Sequence, residues 1–387
     1  MIDSAAASIS AASECFEMAW AKPLYKRDKV NEAARAVLAY DPLEIFESEK
    51  YHAYLVALPI VDNWRASHNY PLNTFQITLR RYAQDVSPDR APPLIAQRIK
   101  RLRSIELKLR LKPKMKLTQM QDIGGVRAVV RSIAEVREVA QRYILSNLKH
   151  EAASLDDYIQ TPRDSGYRGI HFVYRYFSDK NKTEYNDLKI EIQLRSQYQH
   201  AWATAVETVG MFTRQALKSS IGEPDWLRFF QLMSTAIARR EHSPPVPNTP
   251  TELHELREEI RSYATSLDVV NKLNAFRNLL RIGTEQPGLK DARLFLLVLD
   301  PTQDKLTITP FKESERQLAS QSYLEAEKIV RENRKTDAVL VQVDSPAALR
   351  RAYQNYFADT RLFLQLLEQV LSGKSKRILT PTTVASL

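Results

Sequence analysis

Residues 187–195 read DLKIEIQLR. In an extended chain successive side chains point to opposite faces, so Ile190, Ile192 and Leu194 fall on one side and Glu191, Gln193 and Arg195 on the other. The pattern predicts a strand with one face on a core and one polar face, which lines a cleft or meets solvent. VRAVV (126–130) and YRGIHFVYRY (167–176) are two further β-branched or alternating runs. Helix-period segments lie around them, at 134–148 and 197–216. The expected core is α/β (α+β), a mixed sheet flanked by helices.

Working outward, residues 10–85 predict mainly helices. Residues 94–111 predict another, because Leu94, Ile95, Ile99, Leu102, Ile105 and Leu109 recur at roughly helical spacing. SPDRAPP (87–93) is a break, and SPPVPNTP (243–250) is a linker with four prolines in eight residues. Beyond it, 252–282 predicts one long helix carrying Leu253, Leu256, Ile260, Tyr263 and Leu267. A strand pair LFLLVLD (294–300) and KLTITPF (305–311), a helix at 314–334, a strand AVLVQV (338–343), a helix from Ser345 and a last helix at 360–372 suggest a small C-terminal α/β domain. The expected spans are an N-terminal helical region at 1–90, a core at 91–242, a linker and connecting helix at 243–282, and the C-terminal domain at 283–387.

The 387 residues carry 56 Lys plus Arg against 46 Asp plus Glu, a net charge of +10. Residues 98–116, RIKRLRSIELKLRLKPKMK, hold nine basic side chains and one acidic, Glu106, so the positive field is local. Such a run is either a solvated helix face or a cradle for phosphates. The single cysteine, Cys15, excludes an intramolecular disulfide, a Cys-based zinc site and a CxxC redox centre, and a cytoplasmic location is expected. No basic start precedes Lys22 and no run of 18 apolar residues occurs, so neither a secretory signal nor a membrane span is expected.

Two carboxylates stand out. Asp122 in QDIGGVRAVV precedes two glycines and a strand, and Glu191 lies on the polar face of KIEIQLR. Carboxylates from separate elements can hold Mg²⁺, a hard cation that prefers oxygen ligands and bridges phosphates. In DYIQTPRDSGYRGIHFVY (157–174), Tyr167 is either a half-buried strand aromatic or a platform for a base, and His171 is expected on the same strand face. Gly169 between them leaves room for a ligand. On the 197–210 helix, Trp202 and Val206 suit a core, while His200 and Glu207 could support the site from behind.

In this order, RIKRLRSIELKL, QDIGGVRAVV, SGYRGIH and KIEIQLRSQYQHAW resemble the synthetase domain of RelA/SpoT homologues over roughly residues 60–215. The resemblance implies a nucleotidyltransferase-like sheet and transfer of pyrophosphate from ATP to a ribose 3′-hydroxyl. It implies that Arg98 and Arg127 stack on the adenine and that Lys100, Ser104 and Lys108 hold the ATP phosphates. Asp122 and Glu191 would bind Mg²⁺, with Glu191 also taking the hydroxyl proton. Tyr167 would stack on the acceptor, steadied by His171 and Gln193. No His-Asp pair of the family's hydrolase occurs.

The C-terminal stretch, with AVLVQVDSPAALRRAYQNYFADT, is similar to the tail of CapRel-type fused toxin–antitoxin members, a zinc-finger-like domain without its ligands. Residues 250–387 hold no Cys and only His254, so no zinc is expected. Thr208 follows Glu207 where many such synthetases have His. This likeness implies a toxin acting on the tRNA CCA end, an internal antitoxin domain that meets the active site through Tyr353, Tyr356 and Phe357, and release by a phage protein. Arg110, Lys112, Lys114 and Lys116 exceed what one ATP needs and are the expected contacts to the tRNA backbone. The alternative is a small alarmone synthetase using GDP or GTP.

Overall fold

The computed structural model describes residues 20–40, 49–86, 92–212, 217, 222–279, 281–282, 291–300, 305–332, 336–343, 348–349 and 360–373. In chain order the elements are α1 (Arg27–Ala39), α2 (Glu49–Ser67), α3 (Asn69–Asp85), β1 (Leu94–Ile99), α4 (Leu102–Leu111), β2 (Gly124–Val130), α5 (Ile133–Ile144), β3 (Glu151–Asp157), β4 (Ile170–Arg175), β5 (Lys189–Ser196), α6 (Gln197–Phe212) and α7 (Pro224–Arg240). There follow α8 (Leu253–Ser266), α9 (Val269–Leu279), β6 (Arg281–Ile282), β7 (Leu294–Asp300), β8 (Lys305–Phe311), α10 (Arg316–Glu332), β9 (Asp337–Val343) and α11 (Arg361–Ser372).

The strands form one mixed sheet in the order β3-β4-β5-β2-β1-β9-β7-β8-β6. β2 and β5 run parallel, as do β6 and β8, and the other neighbours are antiparallel. The alternation of DLKIEIQLR is realised in β5, whose Ile190, Ile192 and Leu194 are buried. They join Ile95, Val126, Ala128 and Phe172 in a core closed by α1, α2, α3 and α5.

Three sequence expectations are corrected. Residues 94–111 are a strand followed by a helix. Leu94, Ile95 and Ala96 are all buried because β1 sits mid-sheet between β2 and β9, with both faces covered. Residues 252–282 are two helices and a short strand, with α8 ending at a bend where Asp268 takes φ 50°. The C-terminal strands do not make a sheet of their own: β9 pairs with β1, Ala96 lying opposite Val343 and Arg98 opposite Val341.

Helix α10 covers Leu294, Leu296 and Ala338 on one face of the shared sheet. On the other face Phe295, Leu297, Val339, Val341 and Val343 cluster with Leu94 and Val129. Helix α11 returns to pack Phe363, Leu366 and Leu367 among α6, α7 and α8.

The proline-rich stretch is a packed strap. Val246 is buried, its N–H donates to Thr235 Oγ1 at 2.9 Å, and Pro244 O accepts from Arg168 at 2.5 Å. Four prolines stop a helix, but they leave carbonyls free to accept. Among the described residues no helix is long and apolar enough to cross a membrane.

Candidate active site

The site lies on the sheet face that carries Glu191. Directly paired residues share a face, so the registers Glu191 with Gly125, Gly125 with Arg98, Gln193 with Arg127 and His171 with Gln193 place five polar side chains together. Arg98 and Arg127 are diagonal neighbours across β1 and β2. Such positions are about 7–8 Å apart, room for a planar ring between two guanidinium faces. At Gly125, between them, an added Cβ would meet nothing within 4 Å. This open space adjoins the polar cluster.

Lys100 immediately follows β1, and its N–H donates to Ile123 O at 2.8 Å, which sets it beside Asp122. Ser104 and Lys108 follow at i+4 spacing in α4, so they share one helix face. The Lys100 ammonium is 2.8 Å from Asp122 Oδ2, and the Lys108 ammonium is 2.8 Å from Oδ1. Burial alone would push the Asp122 carboxyl up. The two ammoniums outweigh it and hold the group well below the usual carboxylate range. Burial pushes Lys100 down from the ordinary lysine value, against the attraction of Asp122.

Glu191 belongs to a closed ring of hydrogen bonds. His171 Nδ1 donates to Glu191 Oε1 at 2.9 Å, and the Tyr167 hydroxyl lies 2.5 Å from His171 Nε2. Arg195 Nη2 donates to the Tyr167 hydroxyl at 2.6 Å and to Gln193 Oε1 at 3.2 Å, and Gln193 Nε2 returns to Glu191 Oε2 at 2.5 Å. Burial would raise the Glu191 carboxyl, and so does the Asp122 charge. The hydrogen bond and attraction of His171, with the hydrogen bond from Gln193, win and hold it below its ordinary value. Burial pushes the Tyr167 phenol up, so it stays a donor. Asp122 and Glu191 are hard oxygen donors close enough to feel each other's charge, a pair suited to Mg²⁺ with substrate oxygens completing the shell.

Tyr167 differs from its sequence reading. It precedes β4 and is 5% exposed, with the Arg195 guanidinium 4.9 Å and that of Arg163 5.8 Å from its ring centroid. Gly169, at φ 148°, immediately precedes the strand. His171 meets Tyr167 through its ring nitrogen and not as a strand neighbour. Arg195, 1% exposed, was signalled by its alternation with Glu191 and Gln193 yet has no place in the sequence-derived site.

Of the basic surplus, Arg110 donates to Leu38 O at 2.9 Å, tying α4 to α1, while Lys112, Lys114 and Lys116 are exposed. His200 is buried and Glu207 half-buried on α6. Tyr353, Tyr356 and Phe357 lie outside the described residues.

One further carboxyl had no sequence signal. Glu241, just past α7, accepts from Gln199 Nε2 at 3.3 Å, and burial raises it to about 7 against the hydrogen bonds of Ser196 and Gln199. The folded protein therefore binds this proton more tightly than the unfolded chain. Its contribution is full below about pH 4.5 and is lost as pH rises through about 7. Glu241→Gln should raise stability at pH 8 by about 1–3 kcal/mol and change it little at pH 4.5. Urea midpoints at the two pH values measure this, and an equal shift at both would refute the protonated carboxyl.

Residues 97–212 match the family described as the region found in RelA / SpoT proteins. Over 129 residues the chain is 30% identical to the GTP pyrophosphokinase YjbM of Bacillus subtilis (strain 168), and over 89 residues 34% identical to the GTP pyrophosphokinase YwaC of the same organism. These stretches cover 33% and 22% of this chain and span 59% and 40% of those relatives. A crystal structure of small alarmone synthetase 1 from Bacillus subtilis, bound to its product pppGpp, is 20% identical with a TM-score of 0.38. It covers 45% of this chain and 89% of that one. The site built above falls within the span that matches the region found in RelA / SpoT proteins.

Proposed function

We propose that the chain transfers a pyrophosphoryl group from ATP to the 3′-hydroxyl of a guanosine nucleotide. The observation that carries the reading is the closed ring around Glu191 beside an Asp122 flanked by two lysines. It supplies a fixed base next to a cationic phosphate cradle. The acceptor 3′-oxygen attacks the β-phosphorus of ATP, the bond from that phosphorus to the α–β bridging oxygen breaks, and AMP leaves. Glu191 takes the hydroxyl proton, held toward it by His171 and Gln193. Lys100, Ser104 and Lys108 bind the phosphates, and Arg98 and Arg127 face the adenine. Mg²⁺, held by Asp122 and Glu191, would neutralise charge on the transferring phosphoryl oxygens. Stacking of an acceptor base on Tyr167 requires its buried ring to be uncovered, with both Arg195 and Arg163 now against it.

The relatives named above are GTP pyrophosphokinases, which supports a guanosine acceptor. A second reading, transfer to the tRNA CCA end, draws on the exposed Lys112, Lys114 and Lys116 beyond α4. Neither it nor release by a phage protein has support among those relatives.

The test is incubation with γ-labelled ATP and GDP, GTP or deacylated tRNA. Label on the guanosine nucleotides is expected. Label on tRNA alone would move the acceptor to the second reading, and label on none would overturn pyrophosphate transfer.

A further inference from the structure

Two helices from opposite ends of the chain meet behind Lys100. Arg65, in α2, is 2% exposed and uses its guanidinium fully. Nη1 donates to Asp62 Oδ1 at 2.8 Å and to Glu327 Oε2 at 2.7 Å, and Nη2 donates to Glu327 Oε1 and to the Tyr323 hydroxyl, both at 3.0 Å. Nε donates to the main-chain O of Lys100 at 3.1 Å. Glu327 and Tyr323 belong to α10, and the Tyr323 hydroxyl also donates to Glu327 Oε1 at 2.5 Å. Glu327 Oε1 accepts from Leu102 N at 3.0 Å. That N–H opens α4, whose N-cap Arg101 supplies no side-chain acceptor. Arg101 itself is ion-paired with Asp337 at the start of β9.

These contacts close on the main chain of one short loop. Lys100 N is tied forward to Ile123 O and Lys100 O backward to Arg65, while Glu327 caps the helix that carries Ser104 and Lys108. Helix α10 covers the sheet face of Leu294 and Leu296. That face is opposite the one shared by Phe295, Val341, Arg98 and Glu191. The clamp therefore grips the loop from behind and leaves the Lys100 and Lys108 side chains directed at Asp122.

Buried ion pairs give little net stability over apolar packing of the same size. Apolar residues would join α2 to α10 equally well. They could not donate to Lys100 O or accept from Leu102 N. We infer that Arg65 and Glu327 are positioning residues for the ATP phosphates, so that α10 of the C-terminal unit completes the phosphate-binding loop of the core. This inference rests on the ATP reading of Lys100, Ser104 and Lys108 and adds two residues outside the matched 97–212 span.

The test uses the full chain with Mg²⁺ and α,β-methylene-ATP in calorimetry, alongside the KM values for ATP and for the guanosine acceptor. Glu327→Ala and Arg65→Ala should each weaken analogue binding and raise the ATP KM about tenfold, which is about 1.4 kcal/mol, with the acceptor KM changed less than twofold. Glu327→Gln keeps the volume and one acceptor for Leu102 N, and should recover most of the affinity. If the alanine variants do not fold, Glu327→Gln carries the test with an expected two- to threefold rise. Unchanged ATP affinity in folded variants, or an equal rise in both KM values, would overturn the clamp. A wild-type chain that does not bind the analogue would instead overturn the ATP reading beneath it.

Discussion

Glu191→Gln is expected to lower kcat for pyrophosphate transfer by about a thousandfold or more while leaving the melting midpoint nearly unchanged. Positioned general bases contribute about 10²–10⁴-fold, and here the same carboxylate is one of the two candidate metal oxygens. Glutamine keeps the volume and one of the two acceptor oxygens that His171 and Gln193 use, so the fold should hold. The substitution removes the charge and the basic lone pair. The pH profile is a second test of Glu191. Because its hydrogen bonds hold the Glu191 carboxyl below the ordinary value, it stays ionised down to acidic pH. The wild-type rate should then show no acid limb above about pH 4.5. An acid limb above that pH, or wild-type turnover in the glutamine variant, would remove Glu191 from the chemistry.

The polar face of β5 was legible because a period of two needs few residues to declare itself, and Glu191, Gln193 and Arg195 occupy that face as the alternation requires. The lysines were legible as a charge run, though not their convergence on Asp122. Strand β1 was not legible. Leu94, Ile95, Ile99, Leu102, Ile105 and Leu109 satisfy a helical period straight across the junction at Lys100, and a strand buried on both faces has no alternation to oppose it.

The continuity of the sheet was hidden for a different reason. The pairing of Arg98 with Val341 joins residues far apart in sequence, and no local propensity encodes a non-local partner. The sequence draws Tyr167 and His171 together by a strand spacing that does not apply, since Tyr167 lies before β4. What unites them is the hydroxyl-to-imidazole hydrogen bond. The Arg65–Glu327 pair spans most of the chain and had no motif to announce it.

Gly166→Ala should be among the most damaging single-methyl changes in the chain. Gly166 sits at φ +87°, where a side chain is strained, and its Cβ would come 2.9 Å from Ser234 Cβ, 3.1 Å from Trp202 Cζ2 and 3.2 Å from Phe230 O. None of these can yield cheaply. Ser234 Oγ donates to Gly166 O at 2.6 Å and accepts from Arg168 Nε at 3.0 Å, and Trp202 Nε1 donates to Phe230 O at 2.8 Å. The left-handed backbone costs about 1–2 kcal/mol for alanine and overpacking a further 1–3 kcal/mol. A loss of about 2–5 kcal/mol is expected, read as a lower melting midpoint.

The loss should reach the site before the protein unfolds. Gly166 directly precedes Tyr167, and its carbonyl accepts from Ser234 Oγ, which accepts from Arg168 Nε, so displacing it moves the hydroxyl that orders His171 and, through it, Glu191. Activity should fall at temperatures where the variant is still folded. Ser165→Ala, one residue away, removes only a 3.4 Å contact to Tyr167 N and should do neither. If Gly166→Ala melts with the wild type and keeps its rate, the loop is not packed against α6 and α7 as described, and Tyr167 does not owe its place to Gly166.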